Sequence, residues 1–140
     1  MASPNAPSNA PIDKIITVQS FETDGKLKLL RGYAGGGFQV NDAFVTGSII
    51  LHPREIHTCP VSDASQLSHE LLEPHLTIVK PDMVLIGVGG NPTHLYQPIR
   101  DYFKQQAIGV DIMSTSSACR TWNVLLSEGR QVVSCLIAIP

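Results

Sequence analysis

Residues 83–90 read Met83-Val-Leu-Ile-Gly-Val88-Gly89-Gly90, an apolar run with Pro81 just upstream and a glycine pair at its end. A short stretch that is apolar without alternation, closed on both sides by turn residues, predicts a strand buried on both faces. Such a strand needs a layer above it and a layer below it. Downstream, Pro98 is placed to open a helix that carries Ile99, Tyr102 and Phe103 on one face, with Gly109 as its stop. Val110 and Ile112 mark a second strand. A further helix is predicted from about Ser117 to Glu128, since Ala118, Trp122, Leu125 and Leu126 recur at i, i+4, i+7 and i+8 and Gly129 follows. Val132 to Ile139 then closes the sheet. The order β-α-β-α-β predicts a largely parallel central sheet with right-handed crossovers.

Upstream of the deciding run, Asp63 and Gln66 fit an N-cap and N3 pair, and Leu67, Leu71 and Leu72 fall on one face, which predicts a helix over about Ala64 to Glu73 that Pro74 ends or kinks. From Ile15 to about Val61 the signals change to strands and tight turns. Ile15 to Val18, Leu27 to Leu30, Phe38 to Val40, Ala43 to Val45 and Ile49 to Leu51 are separated by Asp24-Gly25, Gly35-Gly36-Gly37 and Asn41-Asp42. This first third reads as an antiparallel β unit. Residues 1–11 hold three prolines, no charge and, beyond Met1, no large apolar side chain, so they read as a disordered tail. Residues 12–140 read as a single α/β domain.

Composition narrows the function. The chain has 140 residues, 43% apolar and 16% charged, with a formal charge of −2 from 10 Lys plus Arg against 12 Asp plus Glu. Neither sign clusters, so no electrostatic footprint for nucleic acid is expected. The longest apolar runs are Leu136 to Ile139 and Met83 to Ile86, far short of the ~18–20 residues of a membrane helix. The start lacks the pattern of a secretory signal or a mitochondrial presequence, which predicts a cytoplasmic protein. Three cysteines, Cys59, Cys119 and Cys135, form no CxxC pair and fit reduced thiols.

If the strands ending near Val88 and Met113 are parallel neighbours, the loops Gly89 to Gln97 and Ser114 to Ser117 leave the same sheet edge, where open α/β sheets place ligands. The candidate binding cleft is therefore Gly89, Gly90, Asn91, Ser114, Thr115, Ser116, Ser117, Cys119 and Arg120. Four hydroxyls at a helix start suit an anion, and they equally suit plain capping. Gly87-Val-Gly89-Gly90-Asn91-Pro92 is not a dinucleotide loop: Pro92 stands at its sixth position and the helix is delayed to Pro98, so no cofactor is expected. Cys119 lies in the first helical turn beside Arg120, where a thiolate is favoured, with His94 as the base within reach. The opposing reading is a cysteine simply buried in the core. His52, His57 and Cys59 form a loose metal-like group whose fourth ligand would come from His69 or His75. The spacing matches no zinc pattern, so ordinary strand residues and no metal are expected. Glu70, Glu73 and Asp82 form no legible acid/base pair. The aromatic residues fall at core-like spacings, Trp122 foremost among them.

At Leu85-Ile-Gly-Val-Gly89, Ala107-Ile-Gly-Val-Asp111 and Ser117-Ala-Cys-Arg-Thr-Trp-Asn-Val-Leu-Leu-Ser-Glu-Gly-Arg130 the sequence resembles a small domain family of unknown function. That family includes the mitochondrial complex I assembly factor 3 and an adipogenesis-associated protein with the same domain. Gly37-Phe-Gln-Val-Asn41 and Gly47-Ser-Ile-Ile-Leu-His-Pro53 also fit, so the resemblance spans roughly residues 15–140. It implies a three-layer α/β fold with a mixed central sheet and an added β unit. It implies no enzymatic activity, and a role in helping a respiratory complex assemble through contacts with a protein partner, with a homo-oligomer also compatible. The missing presequence makes the chain look like a bacterial-type relative. Of the family's pattern only Cys119, Arg120, Thr121, Trp122 and Asn123 carry over, as a motif of unknown use. The leading expectation is a non-catalytic interaction domain, with an enzyme using Cys119 or a small-anion binder as alternatives.

Overall fold

The computed structural model describes residues 15–16, 25–90 and 96–140. The expected tail 1–11, Asp24, Asn91 and His94 lie outside them. Among the described residues the strands are β1 (Ile15–Ile16), β2 (Leu30–Gly32), β3 (Gly37–Val40), β4 (Ala43–Thr46), β5 (Ile49–His52), β6 (Glu55–Thr58), β7 (Met83–Gly87), β8 (Gly109–Met113) and β9 (Val132–Leu136). The helices are α1 (Glu73–Val79), α2 (Gln97–Gln105) and α3 (Thr115–Ser127).

The run that decides the fold is β7, which lies between β9 and β8 and pairs in parallel with both, in a five-stranded sheet of order β6-β5-β9-β7-β8. Val84, Leu85 and Ile86 are fully or almost fully enclosed, as a strand without alternation requires. Leu85 faces the same side as Ile49, Leu51, Val132 and Leu136, under α3 and the second sheet. Val84 and Ile86 face Ile99 and Phe103 of α2 and the residues around α1. The molecule is thus three-layered and α/β.

Several local expectations are corrected. The antiparallel first third is divided between the two sheets. β2, β3 and β4 do form an antiparallel meander, but β1 joins β4 in parallel, and the β5–β6 hairpin adds to the central sheet, β5 pairing antiparallel with β9. That hairpin makes the central sheet mixed. The helix expected over Ala64 to Glu73 is two 3-10 turns, Ala64–Gln66 and His69–Leu71, the first closed by the Asp63/Gln66 capping box. Pro74 does not end a helix. It starts one: a residue at the first helical turn has no intrahelical acceptor for its N–H, so proline loses nothing there. Nor is Gly109 the stop of α2. Ala107 takes the left-handed position, at φ 58°, and Ile108 N–H donates to Phe103 O at 3.0 Å, freeing Gly109 to begin β8. α3 ends as predicted, with Gly129 at φ 74° and Arg130 N–H donating to Leu125 O at 3.1 Å.

The second sheet is fastened to α3 by side chains. Trp122 Nε1 donates to Lys28 O at 2.7 Å, from a ring with no exposure. The Asn123 amide accepts from Leu30 N–H at 2.9 Å and donates to Leu30 O at 2.8 Å, taking the place of a neighbouring strand for that residue. The Cys-Arg-Thr-Trp-Asn motif therefore has a structural use. Two of its side chains tie distant backbone to the helix, and Cys119 fills the core beside them.

Candidate functional site

The glycine bend and the hydroxyl-rich bend meet at one end of the central sheet. Gly87 and Met113 are register partners, and Val88 N–H extends the ladder to Met113 O at 2.9 Å. Thr115 N–H then donates to Gly89 O at 2.9 Å, while Gly89 N–H donates to Thr115 Oγ1 at 2.8 Å. The same hydroxyl donates to Ile137 O at 2.7 Å. Thr115 has no exposure, so it serves as an internal clamp joining the exits of β7, β8 and β9. Gly87 lies close beneath it: a Cβ there would stand 3.0 Å from both Thr115 Cα and Leu136 Cδ2 and would press its neighbours aside.

The other hydroxyls also have local partners. Ser114 Oγ caps α3 by accepting from Ser117 N–H at 3.3 Å and donates to Ser117 Oγ at 3.1 Å, with Ser116 Oγ at 3.3 Å. Arg120 Nη2 donates to Ser117 Oγ at 3.4 Å and is otherwise exposed. Cys119 is 3% exposed, and burial pushes its thiol up to about 12, with Arg120 pulling only weakly the other way. Burial thus opposes formation of the thiolate there. Among the described residues, the rim offers outward Gly90, parts of Ser116 and Ser117, Arg120 and, one turn further along α3, Val124 at 54% exposure.

The opposite end of the sheet holds a group that sequence reasoning set aside. The turn Pro53–Arg54 makes His52 and Glu55 direct partners across the β5–β6 hairpin, and His57 pairs with Ile50. Period-two alternation then puts His52, Glu55 and His57 on one face of the sheet. α1 lays His75 against them: His52 Nε2 and His75 Nδ1 are 2.7 Å apart. Glu55 Oε1 is 3.2 Å from His52 Nδ1 and 2.8 Å from His57 Nε2. One ring nitrogen from each of His52, His57 and His75 lies within 4.8 Å of the other two. Burial holds His52 down at about 4, helped by the neighbouring imidazoles and opposed by Glu55. Burial also lowers His75. The hydrogen bond from His57 is the main cause that lowers Glu55. An open cleft of about 340 Å³ runs alongside, with His52, Glu55, Ile78 and Gln131 in its walls.

The cluster's membership differs from the sequence expectation. Cys59 turns away, its sulfur 3.6 Å from that of Cys135 in the core; their shared hydrogen bond draws Cys59 down and, together with burial, pushes Cys135 up. His69 is also elsewhere, 2.8 Å from Glu73 Oε2 and stacked on Tyr102 with ring centroids 4.0 Å apart. Of the expected group, His52 and His57 stay together and His75 joins them, because the hairpin register and the Pro74 helix start act together. The signal in the sequence was the spacing His52-x-x-Glu55-x-His57 across a two-residue turn.

This fold defines a class. The chain belongs to the protein family of unknown function DUF498/DUF598, which it matches over residues 30–137. Within that class it is 32% identical over 126 residues to NADH dehydrogenase (ubiquinone) 1 alpha subcomplex assembly factor 3 of Drosophila melanogaster, a match covering 87% of this chain and 64% of that protein. The chain thus spans less than two thirds of that relative's length. Among solved structures it is similar to a crystal structure described as an outer membrane protein from Bartonella henselae. The TM-score is 0.74 at 31% identity, covering 83% of this chain and 98% of that one. A Bordetella pertussis protein described as an Mth938-like domain shares the fold, with a TM-score of 0.69 at 23% identity, covering 80% and 86%. No helix among the described residues is long and apolar enough to cross a membrane.

Proposed function

We propose that this domain is a non-catalytic, assembly-factor-like protein that holds a protein partner at the rim where β7 and β8 end. The observation that carries the reading is its likeness to a protein named as an assembly factor of respiratory complex I. The rim supports it. Its interior is spent on fixing the shape of the bend, through Thr115 and the Ser114 cap, and its cysteine is sealed and protonated. The outward side of α3 presents Arg120 and Val124 one turn apart, a cation beside an apolar contact, which suits a protein surface better than a small substrate. A reducing, cytoplasm-like compartment suits a chain whose Cys59 and Cys135 sulfurs stand 3.6 Å apart and unbridged.

The test is a crosslinked affinity capture from native lysate with the full chain, compared with Arg120→Glu and Val124→Asp. Both positions are exposed, so circular dichroism and Tm should be unchanged. The expected result is a stoichiometric partner, or a second copy of the chain, lost in both variants. Equal recovery by all three proteins would remove the rim from the proposal. Turnover of a metabolite that disappears in Cys119→Ala would replace it with an enzyme.

A further inference from the structure

We infer that His52, His57 and His75 form a binding site for a first-row divalent cation, zinc above all, at the end of the sheet opposite the proposed partner rim. Three imidazoles from β5, β6 and α1 converge there, and three such rings on separate elements are what a tetrahedral zinc site with one open position uses. The geometry is close to what the ion needs. With Zn–N bonds of about 2.0–2.1 Å, tetrahedral ligands sit about 3.3 Å from one another. His52 Nε2 and His75 Nδ1, now 2.7 Å apart, have to separate slightly, and the third nitrogen, within 4.8 Å, has to move in.

The surroundings also fit a metal. Glu55 lies 3.2 Å from His52 Nδ1, the nitrogen turned away from His75, so it can hold that ring's tautomer and leave Nε2 with its lone pair toward the ion. A carboxylate behind a ligating histidine is the usual outer partner of such sites. The open cleft borders the group at His52 and Glu55, with Arg54 also in its wall. Imidazole donors select zinc, copper or nickel over magnesium and calcium, which take oxygen ligands. Bound there, the ion would staple α1 to the β5–β6 hairpin. The inference is independent of the partner rim, and its failure would leave that reading untouched.

The test uses the full chain, stripped with a chelator and titrated at pH 7.5 with Zn²⁺ alone against a chromophoric competitor. One equivalent is expected to bind with Kd below about 1 μM, with a rise in Tm, because an ion that binds only the native state stabilises it. His57→Gln and His75→Gln, both at half-buried positions, should each weaken binding at least tenfold. His69→Gln, which removes a histidine near the start of the same helix but outside the group, should leave it unchanged. Co²⁺ should give the visible absorption of a tetrahedral site in the wild type and lose it in His75→Gln, a readout that holds if a variant's stability falls. Absence of one-equivalent binding, or binding that survives both substitutions, overturns the inference.

Discussion

The two ends of the central sheet carry different polar residues and use them differently. At one, Ser114-Thr-Ser-Ser117 and a glycine pair suggest a receptive polar loop, yet the bends are stitched to each other and to Ile137 by the backbone and by Thr115. At the other, His52, His57 and Cys59 form only a loose group whose spacing fits no zinc pattern, yet with His75 three rings and a carboxylate meet beside an open cleft. A polar residue is available for binding only after its local hydrogen bonds are counted. Serine and threonine reach their own neighbouring backbone easily, so runs of them are often absorbed where they stand. Histidines brought together by register and a crossing helix meet one another and Glu55.

The comparison is tested most severely by removing what anchors the rim. α3 carries the rim, and Trp122 roots α3 in the core while donating to Lys28 O. Trp122→Ala should destabilise the fold by about 3–5 kcal/mol, read by urea denaturation. A loss under about 1 kcal/mol would mean that α3 and the second sheet hold together by other contacts.

The histidine end should reveal itself through pH. In the metal-free protein His52 is held at about 4, below its ordinary 6.5. Between those values the unfolded chain carries the proton and the folded chain does not, so the unfolded state binds more protons and stability falls as pH drops. The window runs from about 6.5 down to about 4, and a shift of this size corresponds to at most about 3 kcal/mol. Glu55, lowered from its ordinary value, adds a further loss in more acid solution. Denaturation at pH 7, 5.5 and 4.5 should show the slope, and His52→Gln should flatten it. An unchanged slope would place the acid sensitivity elsewhere.

The rim's internal clamp ranks next. Thr115→Val keeps the shape but removes the hydroxyl, leaving Gly89 N–H and Ile137 C=O without that partner in a buried site. A loss of about 2 kcal/mol is expected, against less than about 0.5 kcal/mol for Ser116→Ala on the surface of the same bend. Equal effects would undo the distinction between a closed interior and an exposed skin.

These contrasts also mark what could be read in advance. β7, α3 and the sheet edge shared by two loops were legible, because apolar periodicity and glycine stops are local properties of the chain. The start of α1 was not. Leu67, Leu71 and Leu72 have helical spacing, but they sit on two 3-10 turns, and Pro74 works as a beginning where it was read as an end. The stop of α2 at Ala107 was hidden because alanine seldom adopts a positive φ and Gly109 stood close by. The histidine group depended on both the hairpin register and the α1 start. A pairing between positions 52 and 75 is a tertiary fact with no local signature.

The smallest expected effect lies midway between the two ends. Ser134 of β9 is in register with Leu51 on one side and Leu85 on the other, on the face that packs under α3. It has no exposure, and its hydroxyl finds no hydrogen-bond partner among the described residues. A buried hydroxyl without a partner has given up its water and gained nothing in exchange, so its removal relieves that desolvation cost. Polar groups at both sheet ends find partners, and Ser134 is where the cost of lacking one can be isolated, since alanine deletes one atom and leaves the strand ladder intact. Ser134→Ala should stabilise the protein by about 1 kcal/mol, seen as a higher urea midpoint with an unchanged m-value. A destabilised variant would show that the hydroxyl has a partner after all, such as a buried water, and that the middle of the sheet obeys the same accounting as the rim.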